Sequence, residues 1–334
     1  MQIYKDKEEN IYTDKDYLLD SGSLEAIVCQ SETANFHVDH EDYVASVPGT
    51  MTLKEFDENL ISFAMCSNIK APEDYSISKI LAEFQDQTLL HKALGLNLTH
   101  VDGSLTKTGA KVIKNVSGYD MKKLYIGSFN SLAIITNAFL RLEKRFEKQL
   151  QISFRLTVDS KAIFEIKKFL QSFLDSNIDF QLSFNKLFGD YSAVIYSSNS
   201  QKILEYREKA INTFLEKLPE VKSSIKIEYV DFQPEYKTEK RMELDFDFSK
   251  LDVISLLLTQ EDYVLDVLNS TLYVDHVQRE LLQDLLLHIK ALRIFPVNFQ
   301  TRDELKNLLA NNDKLLDQIK LIYDEGGSLN PGLL

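Results

Sequence analysis

The chain has 334 residues, 44% hydrophobic and 27% charged, enough to bury a large core in one or two domains and too apolar for wholesale disorder. Its net charge of −13 argues against a nucleic-acid or anionic-membrane partner, since both need a cationic footprint. The nearest thing to a basic patch, Lys144-Arg145 with Lys148, reads as a solvated helix or strand end.

Cys29 and Cys66 form neither a C-x-x-C pair nor a disulfide framework; a single bridge is allowed, and two reduced core thiols of a cytosolic protein is the plainer reading. Residues 1–9 are charged and carry no apolar signal region. The longest apolar runs, such as 253–258, are far too short to span a bilayer. The expectation is a soluble cytoplasmic protein without direct membrane insertion, reaching a membrane only through a partner.

Residues 1–35 are polar and irregular, with one short apolar run at 24–28. Residues 36–47 alternate as a strand, and Gly49-Thr50 turns the chain into a helix over 52–64. Thr52 followed by Glu55 is a capping-box pattern, and Leu53, Phe56, Leu60 and Phe63 share one helix face. A second helix is expected over 76–85, after Pro72. Strands follow over 94–101 and 105–113, joined by an Asp102-Gly103 turn. Then come a loop with Gly118, a short helix at 121–125 and a buried strand at 132–140.

From 150 to 232 the pattern reads as a compact unit. Strands are expected at 151–158, 180–184, 193–197 and 225–232, and helices at 160–174 and 201–218, in the β-α-β-β-α-β order of a ferredoxin-like layer. Residues 240–334 read as mainly helical, with strand-like pieces at 271–275 and 291–295, and close on Asn330-Pro331-Gly332. The fold class is α+β.

Residues 109–142 read GAKVIKNVSGYDMKKLYIGSFNSLAIITNAFLRL. This segment resembles the E subunit of bacterial glycolate oxidase, where a glycine, a strand, Lys-Asn-x-x-Gly-Tyr-Asp and Gly-Ser lead into an apolar strand. Three further segments support it: ALGLNLTHVDGSL at 93–105, VASVPGTMTLKEFDENL at 44–60, and YDEGGSLNPGL at 323–333. The likeness touches both ends, and the length suits one whole subunit.

The resemblance implies an FAD-linked oxidase of the vanillyl-alcohol-oxidase-like fold, an α+β flavin domain with an inserted ferredoxin-like cap. Mapped here, that gives an FAD-binding-type domain at 1–148, the cap at 149–240, and at 241–334 a helical remainder returning to the first domain. It also implies flavin-bearing and iron–sulfur subunits as partners. FAD contacts carried over by resemblance are Asn115, Gly118, Gly127, Ser128 and the main chain at Ile134 and Ile135.

Folds of this class hold FAD's pyrophosphate with converging backbone N–H groups, and glycines let the main chain approach closely. At three places where the resemblance implies such glycines, this chain differs. Only Gly22 stands in the stretch before residue 44, Ser78-Lys79-Ile80 replaces a Gly-Gly, and Asn130 and Ala133 replace two glycines after Gly127-Ser128.

Oxidising a 2-hydroxy acid needs a base and a cation for the carboxylate. His91, His100, His276 and His288 could supply the first, and Arg279 and Arg293 the second, though none stands in a recognisable motif. His37-x-x-His40 lacks a third metal ligand. The reading is an accessory, FAD-poor or FAD-free subunit of a 2-hydroxy-acid dehydrogenase complex. The alternatives are an active FAD oxidoreductase, with Lys79 meeting a phosphate, and a stand-alone binding protein re-using the cleft.

Overall fold

The computed structural model describes residues 3–5, 11–12, 25–27, 36–83, 87–109, 120–173, 178–221, 225–232, 242–274, 281, 284–285, 287–293, 319, 322–324, 326 and 328–329. The chain divides into two compact units. One comprises Met1–Arg145, Pro234–Glu239 and Pro296–Leu334, the other Phe146–Gln233 and Lys240–Phe295. Among the described residues, no helix is long and apolar enough to cross a membrane.

The first unit opens with β1 (Ile3–Lys5), β2 (Ile11–Tyr12) and β3 (Glu25–Ile27), an antiparallel sheet in the order β2-β1-β3. The stretch expected to be irregular therefore carries three short strands. The strand expected over 36–47 is a hairpin, β4 (His37–Asp39) and β5 (Val44–Pro48), reversed through Tyr43 at φ 53. Asp39 Oδ1 accepts from the Asp42 N–H inside that turn, a side-chain bond that competes with strand continuation.

Helix α1 (Leu53–Ile61) starts on Thr52, whose hydroxyl accepts from the Glu55 N–H at 3.2 Å while the Glu55 carboxylate accepts from the Thr52 N–H at 2.9 Å. The capping box read from the sequence forms, and Leu53, Phe56 and Leu60 are buried. After β6 (Met65–Cys66) comes α2 (Ile77–Glu83), where the Ser76 hydroxyl accepts from the Lys79 N–H and all seven residues are buried.

Next follow α3 (Gln87–Lys92), β7 (Ala93–Thr99), β8 (Leu105–Gly109), α4 (Lys122–Tyr125), β9 (Ile134–Arg141) and β10 (Glu143–Lys144). Strands β4-β5-β9-β7-β8 make an antiparallel sheet in that order, and β10 pairs with β6. Helix α2 packs on β9 and β5. Val47, Phe56, Ile77, Leu96, Ile135 and Ala138 are fully buried here. Each large apolar side chain so buried contributes about 1.5–3 kcal/mol.

The second unit is built on β11 (Lys148–Thr157), α5 (Ser160–Gln171), β12 (Ile178–Asn185), β13 (Asp190–Ser198), α6 (Gln201–Leu215) and β14 (Lys226–Asp231). Their strands lie in the order β14-β11-β13-β12, every neighbour antiparallel. Strict alternation buries Leu150, Ile152, Phe154 and Leu156 of β11; Ile163, Ile166 and Leu170 of α5 and Leu204, Ile211 and Leu215 of α6 are buried too.

The sheet does not stop there. Residues 242–293, expected to be mainly helical with strand-like pieces at 271–275 and 291–295, add β15 (Met242–Phe246), β16 (Tyr263–Asp266), β17 (Thr271–Val274) and β18 (Ile289–Arg293), with α7 (Leu251–Leu257) between the first two; β17 and β18 fall on the expected strands and β15 and β16 do not. Pairing of β12 with β16 extends the sheet to eight strands, β14-β11-β13-β12-β16-β17-β15-β18. A buried contact fixes the junction: the Tyr191 and Tyr263 hydroxyls lie 2.7 Å apart, and Tyr191 also meets the Ser255 hydroxyl at 3.1 Å. The leucine-rich run at 253–258 is helical as expected, in α7, whereas 242–246 and 263–266 are short, partly apolar runs whose pattern does not distinguish a buried strand from a helix.

Candidate functional site

In the first unit three segments distant in sequence meet: the Pro48-Gly49-Thr50 turn, the start of α2, and residues 127–135. All three carry motifs singled out in the sequence. Gly49 donates from N–H to the Thr136 carbonyl at 2.8 Å, and its own carbonyl accepts from the Ser78 N–H at 2.9 Å. A β-carbon on Gly49 would lie 2.4 Å from the Ile135 carbonyl oxygen, so the approach requires glycine.

The register of β7 against β9 shifts between Asn97 and Leu98, which leaves Thr136 without a partner residue on β7. On the other side of β9 the β5 ladder runs through Pro48 opposite Asn137, so the Thr136 carbonyl falls opposite Gly49 and accepts its N–H. The Thr136 hydroxyl donates to the Asn97 carbonyl at 3.1 Å and closes the gap.

Residues 127–133 pack back onto α2. The Gly127 and Phe129 N–H groups donate to the Leu81 and Ala82 carbonyls at 2.9 and 2.8 Å, capping exposed acceptors at the end of that helix. Gly127, Phe129 and Asn130 hold left-handed backbone, with φ of 79, 53 and 52. The Ser128 hydroxyl donates to the Tyr125 carbonyl, and the Ser131 hydroxyl to the Ser128 carbonyl.

Asn130 joins two of the segments. Its Nδ2 donates to the Ser78 hydroxyl at 3.2 Å, and its Oδ1 accepts from the Ile135 N–H at 3.2 Å. Ser78 and Asn130 are buried, at 0% and 1% exposure. Of the residues carried over by resemblance, Gly127, Ser128, Ile134 and Ile135 lie in the 127–135 segment, whereas Asn115 and Gly118 lie outside the described residues.

Lys79 follows Ser78 on α2. Its Nζ lies 4.0 Å from the Tyr75 ring centroid and the residue is 9% exposed, so its charge is spent within the protein.

The catalytic candidates fall as follows. His91 is exposed on α3. His100 is buried, its Nε2 2.9 Å from the Thr106 hydroxyl and its ring stacked on Tyr323 at 5.3 Å. His288 belongs to the second unit, His276 and Arg279 lie outside the described residues, and Arg293 stands on β18. Asp324 buries its carboxylate by accepting from the Ser328 and Leu329 N–H groups, which explains the acidic residue near the closing motif. Among the described residues, no group of three or more His, Cys, Asp or Glu could hold a metal ion.

No family model matches the chain. It is 27% identical over 140 residues to the glycolate oxidase subunit GlcD of Bacillus subtilis, covering 37% of this chain and 29% of that protein. It is 29% identical over 127 residues to a D-lactate dehydrogenase of Archaeoglobus fulgidus, covering 35% and 29%. Over 62 residues it is 32% identical to an uncharacterized FAD-linked oxidoreductase of Mycobacterium tuberculosis, covering 19% and 14%.

The likeness is to FAD-linked oxidoreductases. It spans less than a third of each of these relatives' length, and two of them are named for 2-hydroxy acids, glycolate and D-lactate. The glycolate oxidase resemblance therefore appears against the subunit called GlcD.

What the sequence did not reveal is the use of Asn130. Its place three residues after Gly127 was legible, but its two bonds span 52 and 5 residues of chain and needed the tertiary structure.

Proposed function

We propose that this chain is an accessory subunit of a 2-hydroxy-acid oxidoreductase assembly, in which it holds no flavin. One observation carries the reading. Around the three converging segments, the N–H groups of Gly49, Ser78, Gly127, Phe129 and Ile135 all donate to protein oxygens. A dinucleotide's phosphates need such donors turned toward them, and a donor already satisfied inside the protein offers no net gain.

Side chains also stand where the resemblance implies glycines, with buried Ser78 and Asn130 hydrogen-bonded to each other. The residues present do not fit FAD. The scaffold, by contrast, is intact: the Gly49 turn, the bulge at Thr136 and the left-handed turn at 127–130 all form. A protein that keeps its packing and fills its cofactor cradle suits a role in assembly, beside a subunit that carries the redox chemistry.

The test has two parts. Native protein is examined by flavin absorbance and by mass spectrometry, and the tagged chain is used to capture flavin-bearing and iron–sulfur subunits from its own cells. Colourless protein that brings down such subunits is the expected result. Stoichiometric FAD in the purified chain would refute the reading and favour an active oxidoreductase. Colourless protein that captures neither subunit would refute the assembly role.

A further inference from the structure

We propose that Asn130 is the specificity-determining residue that shuts the cradle against a dinucleotide, an inference that rests on the flavin-free reading above. The 127–130 turn follows a left-handed main-chain course at Gly127, Phe129 and Asn130. Glycine takes that course freely, asparagine tolerates it, and phenylalanine rarely adopts it. The turn follows a path suited to glycines while carrying other residues at 129 and 130.

Asn130 is used at both ends. Its Nδ2 engages the Ser78 hydroxyl, and its Oδ1 takes the Ile135 N–H. One buried amide therefore consumes a hydroxyl on α2 and a main-chain donor on β9, the kind of groups that recognise a phosphate oxygen. Glycine at position 130 suits a φ of 52 without strain, so its removal frees both groups and leaves the turn standing.

The test uses the full chain and the variants N130G and S78G, titrated with FAD and separately with inorganic pyrophosphate by calorimetry. N130G, which keeps the Ser78 hydroxyl, is expected to bind FAD at least tenfold more tightly than the wild type. Amide exchange at Ile135 is expected to speed up in N130G and to stay unchanged in S78G. A folded N130G protein, with wild-type circular dichroism and cooperative unfolding, that binds both probes no better than the wild type overturns the proposal. So does an Ile135 amide that exchanges at the wild-type rate in N130G, a readout that needs no ligand. Stoichiometric flavin in the wild type would sink the functional reading itself, whereas a colourless wild type with an unimproved variant sinks only the role of Asn130.

Discussion

Replacing Gly49 by alanine places a methyl group 2.4 Å from the Ile135 carbonyl oxygen and 3.2 Å from the Ser78 Cβ. The first neighbour is main chain, so relief requires β9 or the 48–50 turn to shift. Forced overpacking of this kind costs about 1–3 kcal/mol. Gly49 also makes two hydrogen bonds, to the Thr136 carbonyl and from the Ser78 N–H, and each one broken by the shift adds about 1 kcal/mol. The expected loss is therefore about 2–4 kcal/mol, a large share of the roughly 5–15 kcal/mol of a typical domain.

Urea unfolding followed by circular dichroism measures it. A parallel thermal melt should show a Tm lower by roughly 5–15 °C, since 1 kcal/mol moves a domain of this size by about 2–4 °C. Gly103 is the control: its φ is +80 but no atom lies within 4 Å of an added β-carbon, so G103A meets backbone strain alone, about 1–2 kcal/mol. A G49A protein within about 0.5 kcal/mol of the wild type, the scatter of ordinary surface changes, would refute the close-approach argument.

Further outcomes can be measured on the same unit. Thr52→Ala removes the α1 cap and should cost about 1 kcal/mol in chemical denaturation. Hydrogen bonds from the Thr52 N–H, and then from its hydroxyl, hold the Glu55 carboxyl below its ordinary 4.5. That contribution is complete above pH 4.5 and is lost as pH falls through the lowered value, so the stability gap between wild type and E55Q should close on acidification. Burial pushes the Cys66 thiol up to about 12, so in a C29S background it should resist a thiol reagent at pH 8 until denaturant is added. Lys92 reaches Glu143 at 2.5 Å with only 6% of its side chain exposed, and Asn68 donates to the same carboxylate. Removing the cation by K92M should cost about 3 kcal/mol, with a smaller loss when E143Q is added, as a double-mutant cycle would report.

Local chemistry was the legible part of this protein. Thr52 and Glu55 announced a cap, Asp102-Gly103 a turn, and the alternation in 151–158 a strand, because each signal acts over a few residues. The reading failed where local patterns are ambiguous. Strands at 242–246 and 263–266 stand where helix was expected, although the strand-like pieces at 271–275 and 291–295 fall on β17 and β18, and 36–47 is broken by a turn at 40–43 with Tyr43 in the left-handed region.

By itself, then, the sequence determined an α+β protein, its caps and turns, and a likeness to FAD-linked oxidoreductases over about a third of the chain. Only the tertiary structure decided what distant segments do together. Gly49, Ser78, Asn130 and Ile135 meet because the pairing of β5 with β9 and a left-handed turn at 127–130 bring distant main chain into hydrogen-bonding range. A hydrogen bond depends on position in space, and no periodicity along the chain encodes which donor a buried amide will take.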